Sequence, residues 1–261
     1  MSYEQSPGQA GLTLGNAMRS KRQITTVGVH VGGEASQIIV GGVLPPNGKT
    51  MFERMQNMER DQDHIRRFLM LEPRGGINLS VNLITPPVRE ECAAGVIIME
   101  STEYVPMSGS NTIATVTTLL ETGMIPMTEP ETRFVLDTPA GPVNIVAQCR
   151  DGACVGVELT NVPCMPIALD VPLEIDGLGR INVDISYGGM IYAIADSSQL
   201  GFSLEPSEAK DISIVGEKIR IAAREQFPCR HPENSDIENV TIVQIVEPCP
   251  ASALMGPNRL N

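Results

Sequence analysis

The chain has 261 residues, 42% apolar and 19% charged, which suits a globular protein of one large domain or two ordinary ones. A net charge of −12 argues against unaided binding to nucleic acid or to an anionic membrane surface, and the lack of tryptophan leaves no stacking platform for bases. No apolar run is long enough to span a bilayer, and the N-terminus lacks the basic-then-apolar order of a secretory signal, so a cytoplasmic protein is expected.

Residues 1–17 are rich in Gly, Ser and Gln and read as a flexible leader. Residues 24–30 and 36–43 read as strands around the turn Gly32-Gly33-Glu34, and Leu44-Pro-Pro-Asn-Gly48 reads as a loop. From 51 to 69, Met51, Met55, Met58, Ile65, Phe68 and Leu69 recur at helical spacing, with charged residues on the other face. Ile77, Leu79, Val81 and Leu83 alternate with polar residues, which predicts a half-buried strand, and 95–99 is a more continuous apolar strand. The stretch from Val105 to Gly123 starts small and polar and continues as a helix with Ile113, Val116, Leu119 and Leu120 on one buried face. Its threonines lower helix propensity, so tertiary packing must hold it.

Strands follow at 134–136, 143–147 and 155–159, the last two joined by a hairpin at Arg150-Asp-Gly152. Residues 181–185 and 190–195 flank Tyr187-Gly-Gly189. Pro206 opens a second long helix carrying Ile212, Val215, Ile219 and Ala222 on one side, and 240–246 is a final strand. Strands and a long helix thus occur twice. This predicts an α+β fold of two similar units, 18–145 with the Ser108 stretch and 146–261, the break falling near 138–152.

Several residues are candidates for chemistry. A loop that turns straight into a helix at Ser108-Gly-Ser-Asn111 leaves backbone N–H groups without intrahelical partners, and with the positive end of the helix dipole these make a seat for a carboxylate or phosphate. Ser108 reads either as the N-cap, its oxygen accepting an N–H of the first turn, or as an acid/base beside that seat. In the second case Ser110 or Asn111 would cap. His30 reads as structural, and His231 in a polar loop is the better candidate for touching a ligand. Glu72-Pro-Arg-Gly75 suggests a salt bridge at a turn, and Gly188-Gly189 a close backbone approach to a neighbour or a ligand. The six cysteines, Cys92, Cys149, Cys154, Cys164, Cys229 and Cys249, form no C-x-x-C pair. With only three histidines beside them no metal site is expected, and reduced thiols packed as small apolar groups are.

Together, Gly28-Val-His-Val-Gly-Gly-Glu34, Glu72-Pro-Arg-Gly75, Pro106-Met-Ser-Gly-Ser-Asn-Thr-Ile113, Tyr187-Gly-Gly189 and His231-Pro-Glu-Asn234 resemble the proline racemase family in order and rough spacing. That family contains proline racemases, hydroxyproline epimerases and trans-3-hydroxy-L-proline dehydratases. The resemblance implies a diaminopimelate-epimerase-like fold, two units each with a curved mixed or antiparallel sheet around a central helix, facing across a cleft. It also implies a cofactor-free mechanism, in which one residue removes the α-proton of a proline-type substrate and another, from the second unit, serves the opposite face. Carried onto this chain, Ser108 is the catalytic acid/base, and Gly109, Ser110, Asn111 and His231 contact the substrate. The partner is then a small imino acid, with a homodimer left open.

The sequence departs from the family pattern in three ways. The first base is commonly Cys and is here Ser108. The residue two places on is often His and is here Ser110. The family's Asp-Arg-Ser-Pro-Cys-Gly-Thr-Gly loop, which carries the second acid/base, has no match near Glu247-Pro-Cys-Pro250. Pro250 has no N–H to offer a carboxylate, so Pro248-Cys249 is a poor substitute. These departures lead to three expectations: a truncated second unit that exposes apolar sheet, a lean towards dehydration of a 3-hydroxyproline, for which one base suffices, with racemisation or epimerisation as the alternative, and, as a further alternative, an inactive relative that binds a small carboxylate.

Overall fold

A computed structural model of the protein describes residues 22–247. The leader 1–17 and the Pro248-Cys249 tail considered above lie outside the described residues. The order of elements begins with strands β1 (Thr25–Val31) and β2 (Glu34–Gly41), helix α1 (Met51–Met70), and strands β3 (Leu79–Thr85), β4 (Ala94–Met99) and β5 (Tyr104–Val105). Helix α2 (Gly109–Glu121) follows, then β6 (Glu131–Thr138), β7 (Gly141–Arg150) and β8 (Ala153–Thr160). The remaining elements are β9 (Met165–Ile175), β10 (Gly179–Tyr187), β11 (Ile191–Asp196), α3 (Ala209–Gln226) and β12 (Ile242–Val246).

The first sheet runs β1-β2-β3-β4-β6-β7-β8, with β5 paired to β4, and the second runs β12-β11-β10-β9. Three pairs are parallel, β2 with β3, β4 with β6 and β11 with β12, and each helix is the crossover that joins one of them. Parallel neighbours need such a connection, because a tight turn cannot reverse the chain twice. The fold class is therefore the expected α+β. The first sheet continues to Thr160, so β7 crosses the expected 145/146 division and the change of sheet falls between β8 and β9. The hairpin at Asp151-Gly152 explains why. Both residues have positive φ, 54° and 75°, the turn that returns β8 directly along β7.

The first sheet is filled on both faces. On one, Ile39, Val81, Leu83, Ile97 and Met99 meet Met51, Met55, Met58 and Ile65 of α1. Thr50 caps α1, its hydroxyl accepting from Glu53 N at 3.0 Å, while Glu53 accepts from Lys49 N at 2.6 Å. On the other face the sheet curls round α2, which touches β1, β2 and β3 at one end and β8 at the other. The α2 helix is accordingly buried nearly all round, beyond the single face expected from its apolar spacing. Thr115, Thr117, Thr118 and Thr122 donate their hydroxyls to the carbonyls four residues back, which satisfies them without solvent.

Strand β3 is also more buried than expected. Its polar residues Ser80 and Asn82 are 2% and 0% exposed, because their face looks at α2 and not at water. Ile77, read from the sequence as part of this strand, precedes it and is exposed.

In the second sheet Leu173, Ile181, Val183, Ile185, Ala193 and Ala195 pack with Ile219, Ala222 and Ala223 of α3, in a core continuous with that of α2. The apolar exposure expected of this sheet is limited among the described residues: the apolar residues of β12 are partly buried. Strand β10 turns Arg180, Asn182 and Asp184 away from the core, and Leu169 is the one large apolar side chain of these strands that is strongly exposed. Arg74 stacks on Phe68, 4.0 Å from the ring centroid, and no ion pair joins it to Glu72 among the described residues.

Candidate active site

The N-terminus of α2 is built from both sides of the curled sheet. Ser108 occupies the N-cap position in an extended conformation, φ −147° and ψ 131°, yet its side chain makes no cap hydrogen bond. The first intrahelical bond runs from Thr112 N to Ser108 O at 3.0 Å. The amides of Gly109, Ser110 and Asn111 therefore have no acceptor within the helix. The first turn contains no acidic residue to answer the positive end of the dipole. An ideal Cβ on Gly109 meets nothing within 4 Å, so the backbone is open to close approach there. Gly109 and Ser110 line an open cleft of about 750 Å³ with Val31, Ile113 and residues of β7 and β8.

What holds Ser108 is Asn111, fully buried one turn into the helix. Its carbonyl accepts from Ser80 Oγ at 2.6 Å and Asn82 Nδ2 at 2.9 Å, with Ser36 Oγ at 3.2 Å. Ser36 and Ser80 also share a hydrogen bond of their own. These donors fix which end of the amide is oxygen, so Nδ2 must face the other way. There it donates to Ser108 Oγ at 3.0 Å and to Glu100 Oε1 at 2.9 Å. The serine oxygen thus accepts from the amide, and Ser110 Oγ lies 3.5 Å away. Burial pushes the Glu100 carboxyl up to about 7, with Glu34 and Glu103 raising it further and the Asn111 hydrogen bond opposing them.

The residues expected from the sequence do not all converge. Ser108, Gly109, Ser110 and Asn111 form one site. His231 lines a separate cavity of about 310 Å³ with Thr50, Phe52, Arg89 and Tyr187. Its Nδ1 accepts from the backbone N–H of Glu233 and of Asn234, both at 3.2 Å, and its ring packs edge-on against Tyr187 with centroids 4.4 Å apart. The imidazole therefore pins its own loop, and Nε2 is the nitrogen left to face the cavity.

The close approach expected at Gly188-Gly189 is to a neighbour. Gly189 has φ +101°, and a Cβ there would lie 2.8 Å from Met107 Cβ, next to Ser108. In this way the turn between β10 and β11 braces the loop that carries the serine. His30 is exposed near the end of β1. Cys92, Cys149 and Cys229 are buried thiols, and burial pushes Cys92 up to about 11, far from a ready thiolate. Sequence reasoning missed Ser36, Ser80, Asn82 and Glu100. The one signal available was the polar half of β3, which was read as facing solvent.

Among the described residues no group of His, Cys, Asp and Glu has the spacing of a metal site, and no helix is long and apolar enough to cross a membrane. Compared with known proteins, residues 26–257 match the family model described as proline racemase. A hydroxyproline epimerase from Agrobacterium vitis, solved with bound trans-4-hydroxy-L-proline, is 38% identical with a TM-score of 0.83, over 87% of this chain and 67% of its own. A probable proline racemase from Agrobacterium radiobacter K84, solved with bound carbonate, is also 38% identical, with a TM-score of 0.82 over 85% and 66%. This chain spans about two thirds of the length of each.

Proposed function

This chain belongs to the proline racemase family, and from that premise we propose that it abstracts the α-proton of a hydroxyproline-type imino acid without a cofactor. In this reading the substrate carboxylate sits on the amides of Gly109, Ser110 and Asn111, and Ser108 Oγ takes the proton. The observation that carries the proposal is the freedom of the Ser108 hydroxyl. It stands at the N-cap but caps nothing, and it receives an N–H from a buried amide. An alcohol is a weak acid, so a serine base needs its developing negative charge met by fixed donors. The Asn111 N–H and the start of α2 are such donors, already oriented before any substrate arrives.

The fate of the carbanion distinguishes two reactions. A proton delivered to the opposite face gives the 2-epimer, the outcome suggested by the 38% identity to a hydroxyproline epimerase. If the substrate carries a hydroxyl on the adjacent carbon, that group leaves instead. The proton held by Ser108 can depart with it as water, and the enamine product tautomerises to a cyclic imine. This second reading needs only one acid/base, the role proposed here for Ser108.

Incubation with trans-4-hydroxy-L-proline and, separately, with trans-3-hydroxy-L-proline separates the two. Epimer formation appears by chiral chromatography, and imine formation appears as a product that borohydride reduces to proline. A folded sample that converts neither substrate, and washes no deuterium into either, leaves only a carboxylate-binding relative.

A further inference from the structure

Glu100 directly follows β4, and its carboxylate accepts a hydrogen bond from Asn111 Nδ2. Among the described residues no cation pairs with it. Because the same nitrogen also reaches Ser108 Oγ, Glu100 Oε1 and the serine oxygen are no farther apart than about 6 Å, the range over which one charge governs the ionisation of another. The half-buried carboxylate thus sits beside the start of α2, in the place that an acidic residue of the first turn would fill.

A ligand carboxylate on the α2 amides would meet this like charge. The surroundings do little to offset it. Glu34 from β2 and Glu103 from the following loop add negative charge. Arg66 of α1 donates to the Glu100 backbone carbonyl, but its guanidinium is paired with Asp63. Asn111, Ser36, Ser80 and Asn82 are neutral. The system can lower its energy in one way, by protonating Glu100 as the ligand binds.

We propose that Glu100 is the proton-linked partner of this seat: it takes up a proton when a carboxylate ligand arrives at the N-terminus of α2 and releases it when the ligand leaves. This rests on the carboxylate seat proposed above. Glu100 does not touch the ligand; it acts through its charge and through the amide it shares with Ser108.

The test is isothermal titration calorimetry with pyrrole-2-carboxylate, which is ionised throughout the range used. Runs near neutral pH in two buffers of different ionisation enthalpy count protons taken up per ligand. The expected result is uptake of about half a proton, with affinity falling about tenfold from pH 6 to pH 8.5, as a one-unit coupling requires. Glu100→Gln, in which the side-chain oxygen still accepts from Asn111, should bind with no proton uptake and a flat pH profile. Binding by the wild type without uptake, or undiminished uptake in a folded Glu100→Gln, overturns the linkage and leaves the seat standing. No binding at any pH overturns the seat and the linkage with it.

Discussion

Asn111→Ala is the perturbation that bears hardest on the site as described. The amide it removes is the acceptor of Ser80 and Asn82 and the donor to Ser108 and Glu100. Ser36 and Ser80 keep one another. Asn82 Nδ2 and the Glu100 carboxylate lose the partners that distinguish them from orphaned groups, and Asn82 Oδ1 is already unpaired. At about 1–3 kcal/mol for each of these two polar groups left unsatisfied, the loss comes to about 2–6 kcal/mol, a large share of the roughly 5–15 kcal/mol that typically holds a domain together. A surface Asn in a first helical turn would cost no more than about 0.5 kcal/mol. Urea denaturation at pH 7, comparing midpoints at unchanged slope, measures the difference. The loss should be smaller near pH 5, where Glu100 can escape by protonation. A loss under about 1 kcal/mol at pH 7 with an unchanged slope would refute the claim that Asn111 organises the site.

Three further outcomes follow from the same geometry. Gly189→Ala should destabilise by about 2 kcal/mol or more in denaturant melts, since it combines a positive φ with a 2.8 Å contact to Met107. Gly109→Ala has open space and an ordinary helical φ, so its melt should match or exceed wild type, while affinity for pyrrole-2-carboxylate drops because a methyl group stands at the seat. Glu100 also links stability to pH. Burial holds its carboxyl above the ordinary value of 4.5, at about 7 in the folded protein. The stability it contributes is therefore complete below about 4.5 and lost as pH rises through about 7. The stability of Glu100→Gln relative to wild type should accordingly grow with pH between these values and level off above them, as read from urea midpoints across the range.

The elements that were legible in the sequence were those with an unambiguous period. Helix α1 announced itself by Met51, Met55, Met58 and Ile65, and the β7–β8 hairpin by Asp151-Gly152. Strand β9 is not legible in the sequence, because Pro166, Asp170 and Pro172 break the alternation of a strand that pairs along only one edge. The site was half legible. Ser108 and the open amides after it could be read from a loop turning into a helix.

The groups that hold Ser108 could not be read that way, because each is unremarkable locally. Ser36, Ser80 and Asn82 occupy polar positions on strands, where period-2 logic assigns them to solvent. They are buried because the sheet curls and α2 fills its inner face, which is a property of the closed sheet and not of any strand. At His231 the polar loop points to a ligand contact; the ring is tied through Nδ1 to its own backbone and packs on Tyr187, in the lining of a cavity apart from the Ser108 seat.

The most direct test of the central claim is isotope exchange at the substrate α-carbon. Wild-type protein incubated in heavy water with trans-4-hydroxy-L-proline should wash deuterium into that position, followed by loss of the α-proton NMR signal. Ser108→Ala should abolish the exchange while still melting cooperatively. Exchange that persists undiminished in a folded Ser108→Ala would contradict the account, as would a well-folded wild type that exchanges nothing.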